Sequence, residues 1–409
     1  MCGILLIRSP INNIIIPLIS IFILILASCI VVRFDIFHPY VWYNTLCGLY
    51  LCAYPILYYN GLYKQYGYSK LILCYGWLAL STIILICPIE QIKPRKEKSN
   101  DNKGIIEIIG VFMDIFIISV MLFIFLSGKY THKNAIYSAN NLFFKLAFIL
   151  VYFKILIYIY NLCKKINLKK SRSIIVKNGF IIFFVSLITG ERDYFFSYLL
   201  ITLLLLFHYR KINIQKIILL IPVGIIFLPL TVSFKYFVLT GKRAEMNIFN
   251  NIFLKFLDGE FISAGRNLQI LISNDCYNLF KGKMLLNDFI RIFYPTKISH
   301  QTWFNETFFS SSHTTKYGFT LIGEGYVNGG IFGIILIFLI VGILIRYLYL
   351  NSNKSSYNMA AYVYMIPLFV YAMRADIANI VSPLLKYVLL GLGVIKILEK
   401  INTIIRSLK

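Results

Sequence analysis

The sequence predicts an all-α fold: a polytopic bundle of about 10–12 transmembrane helices with one large extracytoplasmic loop. Three observations predict it. Of 409 residues, 59% are hydrophobic and only 14% are charged, too few charges to cover a soluble domain of this length. Apolar stretches of about 20 residues, enough to cross a hydrocarbon core of about 30 Å, recur along the chain. Lysine and arginine gather between those stretches, as they do in the loops of membrane proteins. The net charge of +24 therefore reads as a topology signal, and no nucleic-acid partner is expected.

Taken in order, the candidate spans are 14–32, 40–60, 70–90, 105–127, 141–162, 174–190, 194–208, 217–239, 318–345, 357–373 and 381–397. The first lacks a small-residue cleavage site and reads as a retained span rather than a signal peptide. Tyr and Phe cluster at many span ends, as interfacial aromatics do. The whole chain, 1–409, reads as a single membrane domain, with 240–317 as the large loop within it.

Orientation follows from the short loops. Lys93, Arg95, Lys96, Lys98 and Lys103 form one basic loop, and Lys164, Lys165, Lys169, Lys170 and Arg172 a second. Arg210, Lys211 and Lys216 form a third, Arg346 and Lys354 flank a fourth, and the C-terminus carries Lys400, Arg406 and Lys409. Two candidate spans separate each group from the next, so all lie on one face, and the positive-inside rule makes that face cytoplasmic. The turn at 190–193, the stretch 240–317 and the turn at 374–380 then share the outer face. A hydrophilic stretch of roughly 80 residues is more than a helical bundle needs, and loops of that length tend to carry function.

The eight cysteines give no framework: five, at positions 29, 47, 52, 74 and 87, lie in or beside apolar segments, and Cys276 is the loop's lone cysteine. No Cys/His spacing resembles a zinc site, and Asp258 with Glu260 is too weak a pair to predict a metal. Neither a metal nor a cofactor is expected.

Candidate chemistry concentrates on the outer face. Thr189-Gly190-Glu191-Arg192-Asp193 lies between two short apolar runs, best read as a hairpin. A charge at mid-bilayer costs about 2.5–3.5 kcal/mol, so a charged turn drawn toward the membrane suits a polar cavity, with a salt-bridged headgroup turn as the bland alternative. The loop carries Lys242, Arg243, Arg266 and Arg291 among nine basic residues. Arginine offers a fixed charge and a planar fork suited to phosphate oxygens. Pairing with Glu245, Asp258, Glu260 or Asp288 on a surface helix is the competing reading. From Gly318 to Gly333, Gly325, Gly329 and Gly333 repeat every four residues, a spacing that admits another helix backbone. Thr320, Glu324 and Asn328 share that period and form a polar stripe, and an ionisable residue inside a span is a functional candidate by default. His300 and His313 precede this span as further candidate bases. Arg374 and Asp376 open the last outer turn.

These residues resemble those of the O-antigen, or oligosaccharide repeat unit, polymerases. Gly190-Glu191-Arg192 is similar to the family's Gly-x-Arg segment. Gly323-Glu324-Gly325-Tyr326-Val327-Asn328-Gly329-Gly330 with Gly333 resembles its Glu-x-x-x-Asn-x-Gly-x-x-Gly stretch, although Gly329 stands where an aromatic is usual. Met373-Arg374-Ala375-Asp376 resembles an arginine-bearing segment near the family's C-terminus. In layout the resemblance covers about 30–395.

The resemblance implies a multi-pass enzyme of the bacterial cytoplasmic (inner) membrane. It would join polyprenyl-diphosphate-linked oligosaccharides on the outer face, with the lipid bilayer, a chain-length regulator and a flippase as its partners. Arg192 and Glu324 would be catalytic, Glu324 as the base. Arg243, Arg266, Arg291, Asn328 and Arg374 would bind diphosphate or sugar. The sequence also shows no glycine-rich phosphate loop or dinucleotide fingerprint. An O-antigen ligase remains a rival of the same class. A flippase or transporter of the same lipid-linked sugars is the rival of another class, against which the absence of two related halves weighs.

Overall fold

Each predicted span except 217–239, most of which lies outside the described residues, coincides with helix. The computed structural model describes residues 14–93, 105–127, 141–164, 168–189, 191, 193–209, 211–219, 222, 225–226, 252–294, 298–309 and 318–407. These residues are helical and contain no strand. Among the described residues, five helices are long and apolar enough to cross a membrane: Ile105–Ser127, Leu142–Lys164, Arg172–Thr189, Leu321–Ser352 and Ala378–Ile405. Ile15–Val31, Leu71–Ile86 and Asp193–His208 are shorter apolar helices.

The chain packs as two compact units. The first comprises Met1–Ile92, Phe249–Leu350 and Leu368–Pro383. Its scaffold is α1 (Ile15–Val31), α2 (Pro39–Tyr59) and α3 (Leu71–Ile86), which pack on one another. Pro39 sits in the first turn of α2, where its missing N–H costs nothing, and the His38 side chain caps that turn by accepting from the Tyr40 N–H.

The second unit comprises Lys93–Ile248, Asn351–Pro367 and Leu384–Lys409. Here α4 (Ile105–Ser127), α5 (Leu142–Lys164), α6 (Leu168–Thr189) and α7 (Asp193–His208) pack together. Helices α6 and α7 form the predicted hairpin: the Tyr198 hydroxyl donates to the Ile175 carbonyl at 2.5 Å, and the rings of Phe183 and Phe195 meet at 5.1 Å.

Residues of the long hydrophilic stretch fold into short helices rather than an open loop. In chain order these are α8 (Ile252–Phe256), a π-helical turn at Leu257–Phe261, α9 (Ile262–Ser273), α10 (Lys283–Arg291) and α11 (His300–Phe308). Helix α9 lies directly on α2. A Cβ on Gly265 would come within 2.8 Å of the Tyr54 Cβ, so only glycine admits this approach.

Helix α12 (Leu321–Ser352) departs from the sequence expectation. Gly329 (φ −160°, ψ 16°) and Gly330 (φ 58°, ψ −136°) break it into two helical pieces. The four-residue glycine repeat therefore does not admit a second helix along one continuous face. It lets the chain fold onto itself: a Cβ on Gly333 would lie 2.2 Å from the Gly325 carbonyl oxygen, and one on Gly325 would lie 2.6 Å from the Ile334 Cα. The break leaves carbonyls without helical partners at the end of the first piece. The loop after α9 supplies donors, since Asn278 N–H bonds the Tyr326 carbonyl at 2.9 Å and Phe280 N–H the Val327 carbonyl at 2.8 Å. The Tyr277 ring occupies the space that a side chain on Gly330 would fill.

The rest of the chain forms α13 (Ser356–Ala372), α14 (Ala378–Pro383), a π-helical turn at Leu384–Leu389 and α15 (Leu390–Ser407). Glu399 fastens α15 to the second unit: Lys164 pairs with it at 2.5 Å, and the Tyr160 and Tyr357 hydroxyls both donate to it. Charge-assisted hydrogen bonds of this kind contribute about 1.5–3 kcal/mol each. Glu399→Ala is expected to lower the melting temperature of the purified protein and to expose α15 to limited proteolysis. Unchanged melting and cleavage would show that this cluster does not hold the helix.

Candidate functional site

Helices α10, α11, the first piece of α12 and the turn before α14 bring six polar residues together inside the first unit. The i, i+4 stripe of the sequence supplies two of them. Glu324 and Asn328 share one face of the short helical piece, and the Asn328 amide donates to the Glu324 carbonyl at 2.9 Å. Thr320, one turn earlier, is buried beside them. Helix α10 is amphipathic: Asp288 faces inward and is fully buried, while Leu286 and Ile290 are exposed. His300 opens α11, where the Ser299 hydroxyl caps the helix by accepting from the Thr302 N–H at 3.0 Å.

His300 is the hub. Its Nδ1 bonds the Asp288 carboxylate, and its Nε2 lies 2.8 Å from the Asn328 amide nitrogen. The neighbours of Asn328 decide the tautomer. Its Oδ1 accepts from the Leu285 N–H at 3.1 Å, so the amide oxygen is oriented away from the ring and the amide N–H groups face Nε2. Nε2 must then be the acceptor, and the single ring proton sits on Nδ1, directed at Asp288. The ring is fully buried and stacks on Phe319 at 5.3 Å.

Asp288, His300 and Glu324 offer potential ligand atoms within 4.8 Å of one another. The fixed tautomer argues against a cation there. A metal-bound imidazole gives its second N–H to an acceptor, whereas here Nε2 faces a donor and Nδ1 spends its proton on Asp288.

Glu324 is fully buried. Its Oε2 accepts from the Ile377 N–H at 2.8 Å. Its Oε1 has no hydrogen-bond partner and lies 3.9 Å from the His300 Nδ1. A buried carboxylate oxygen left unpaired is costly and marks a place where a donor is missing.

Arg291 is the cluster's cation. Its guanidinium lies 3.2 Å from Asp376 and 3.4 Å from Asp288. Asp376 also accepts from the Asn379 amide at 2.7 Å. Burial pushes the Asp376 carboxyl above its ordinary range and the Asp288 carboxylate adds to this, while Arg291 pulls it back. Asp288 and Asp376, both buried, thus share one guanidinium.

The remaining residues singled out from sequence sit around this cluster or beyond the described residues. Arg266 is buried and bonds the Asn267 side-chain oxygen at 3.1 Å, and Asn267 in turn donates to the Gly318 carbonyl at 2.8 Å. That chain holds the segment leading to Phe319 beneath the His300 ring. Arg374 is half-buried, 4.7 Å from the Tyr371 ring centre, and its carbonyl packs against Gly318. Asp258 is held by the Tyr63 hydroxyl at 2.5 Å, away from this cluster. Arg192, Arg243 and His313 lie outside the described residues, as does the side chain of Glu260.

Sequence reasoning underweighted Asp288 and His300. Their signal was faint: an acid on the polar face of a short amphipathic helix, followed twelve residues later by a histidine at a serine-capped helix start. Comparison with family models, characterised proteins and solved structures finds no match to this chain.

Proposed function

We propose that this chain is a membrane glycosyltransferase that polymerises polyprenyl-diphosphate-linked oligosaccharide repeat units, in the manner of the O-antigen polymerases. One observation carries the reading. Two of the three motifs behind the resemblance, Gly323–Gly333 and Met373–Asp376, meet with residues of the preceding hydrophilic stretch in one buried polar cluster that has an unpaired oxygen at Glu324.

The chemistry follows from that cluster. A sugar donor already linked to a lipid diphosphate needs no nucleotide. The acceptor hydroxyl must lose a proton as it attacks the anomeric carbon, and this reading assigns that proton to Glu324 Oε1. Asp288, His300 and Asn328 keep the base in position. The leaving diphosphate gathers negative charge, which arginines on the same face stabilise. The resemblance assigns that role to Arg192, Arg243 and Arg374, while Arg266 is buried against Asn267 and Arg291 serves Asp288 and Asp376. The reading places the hydrophilic stretch on the outer face of a bacterial cytoplasmic membrane crossed about 10–12 times.

The test is the surface polysaccharide of a deletion strain, separated by size. Collapse of the ladder to core bearing one repeat unit is the expected result. Loss of every repeat unit, with lipid-linked material accumulating, would replace this reading with a ligase or flippase. An unchanged ladder would remove the pathway altogether.

A further inference from the structure

The second unit holds a half-open cavity of about 220 Å³, its lining mainly apolar with a cluster of charged and amide side chains, roomy enough for about seven waters at the liquid's share of volume per molecule. It lies among α4, α5 and α6, and its polar lining includes Glu107, Asp114, Lys154, Asn161, Lys177 and Asn178. Each of these helices presents to it the end that adjoins a basic segment, at 93–103 or at 164–172. We infer that this cavity binds the headgroup of a membrane phospholipid, a phosphodiester that carries a hydrogen-bond donor beyond its phosphate.

The lining sets two ammonium groups, Lys154 and Lys177, against two carboxyl groups, Asp114 and Glu107, a balance that suits a headgroup carrying both a phosphate and a hydrogen-bond donor. Asp114, buried within a membrane-length helix, pairs with Lys154 at 2.6 Å and with Lys177 at 2.9 Å. Two cations thus share one carboxylate, and ionisable side chains so placed are rarely without a role. Lys154 is buried and also bonds the Gly110 carbonyl at 3.4 Å. A Cβ on Gly110 would lie 3.7 Å from that ammonium. The Lys177 side chain is 53% exposed, so its ammonium has donors left for the cavity after meeting Asp114. Such donors suit phosphate oxygens.

Asn178 adds the second requirement. Its Nδ2 donates to the Ile174 carbonyl at 2.7 Å, but its buried Oδ1 has no partner. A phosphodiester offers no donor to fill that place, whereas a glycerol hydroxyl or an ethanolamine ammonium does. In sequence these helix ends run into basic segments, and lysines and arginines next to a span supply the long-range attraction that draws anionic headgroups to a membrane protein. This inference does not depend on the glycosyltransferase reading.

Native mass spectrometry of the purified, lipid-stripped full chain tests it. The probes are dimyristoyl phosphatidylglycerol, phosphatidylethanolamine, phosphatidylcholine, diacylglycerol and inorganic phosphate. The expected result is one retained phosphatidylglycerol or phosphatidylethanolamine. Phosphatidylcholine, whose headgroup has no N–H, should bind less tightly, and diacylglycerol should not be retained. Lys177→Gln, at a half-exposed position that folding tolerates, should weaken retention at least tenfold. Asn178→Leu should erase the preference over phosphatidylcholine. Equal retention by wild type and Lys177→Gln, or by diacylglycerol and phospholipid, would overturn the assignment. Competition by inorganic phosphate at equal concentration would do so too, since the free ion would then be the ligand.

Discussion

Replacing Glu324 with glutamine is expected to abolish polymer formation, by about 10²–10⁴-fold, the range general-base catalysis contributes, while leaving the protein folded. The substitution is mild in shape. A glutamine carbonyl can still accept from the Ile377 N–H, now 2.8 Å from Glu324 Oε2. The fold should therefore hold, and only the proton-accepting oxygen is lost. The measurement is chain extension by purified enzyme on lipid-linked repeat units, with size-exclusion profiles confirming equal folding. Near-normal turnover would remove Glu324 as the base.

The second large effect is structural. Gly330→Ala should destabilise the protein by at least about 3 kcal/mol. Strain in a backbone region open essentially to glycine alone accounts for about 1–3 kcal/mol of this, and steric conflict adds the rest. At φ 58° and ψ −136° any Cβ is strained, and the new methyl would lie 2.1 Å from the Tyr277 ring. For a domain of about 200 residues that corresponds to a fall of roughly 6–12 °C in melting temperature. Gly329→Ala is the control. Its φ of −160° is ordinary extended backbone and a Cβ there meets nothing within 4 Å, so little change is expected. Equal tolerance at both positions would show that the break in α12 does not rest on Gly330. Because the break seats Asn328 against Leu285 and His300, the damaged Gly330 variant should also lose activity in whatever fraction remains folded.

Much of the fold was legible in the sequence because the information is local. Apolar runs of membrane-crossing length announce helices, and among the described residues helices appear where those runs are. The four-residue spacing of Thr320, Glu324 and Asn328 likewise put them on one face, since a helix repeats every 3.6 residues whatever surrounds it. The hairpin at 189–193 was legible for a similar reason: two runs too short to be one span, separated by charge.

What the tertiary structure decided was non-local. The glycine spacing alone was compatible with a helix crossing. The Tyr277 ring and the N–H groups of Asn278 and Phe280, some fifty residues earlier, turn the same glycines into a break. Arg291 carries no sign in its local sequence that Asp376 lies 3.2 Å away. The His300 proton is placed by Asn328, which is placed by the Leu285 N–H: two contacts joining three segments, neither visible to a local pattern. Periodicity reports which side of a helix is buried. Only packing reports what the buried polar groups find there, because an unpaired group costs too much to tolerate and so each chooses its partner from wherever the fold supplies one.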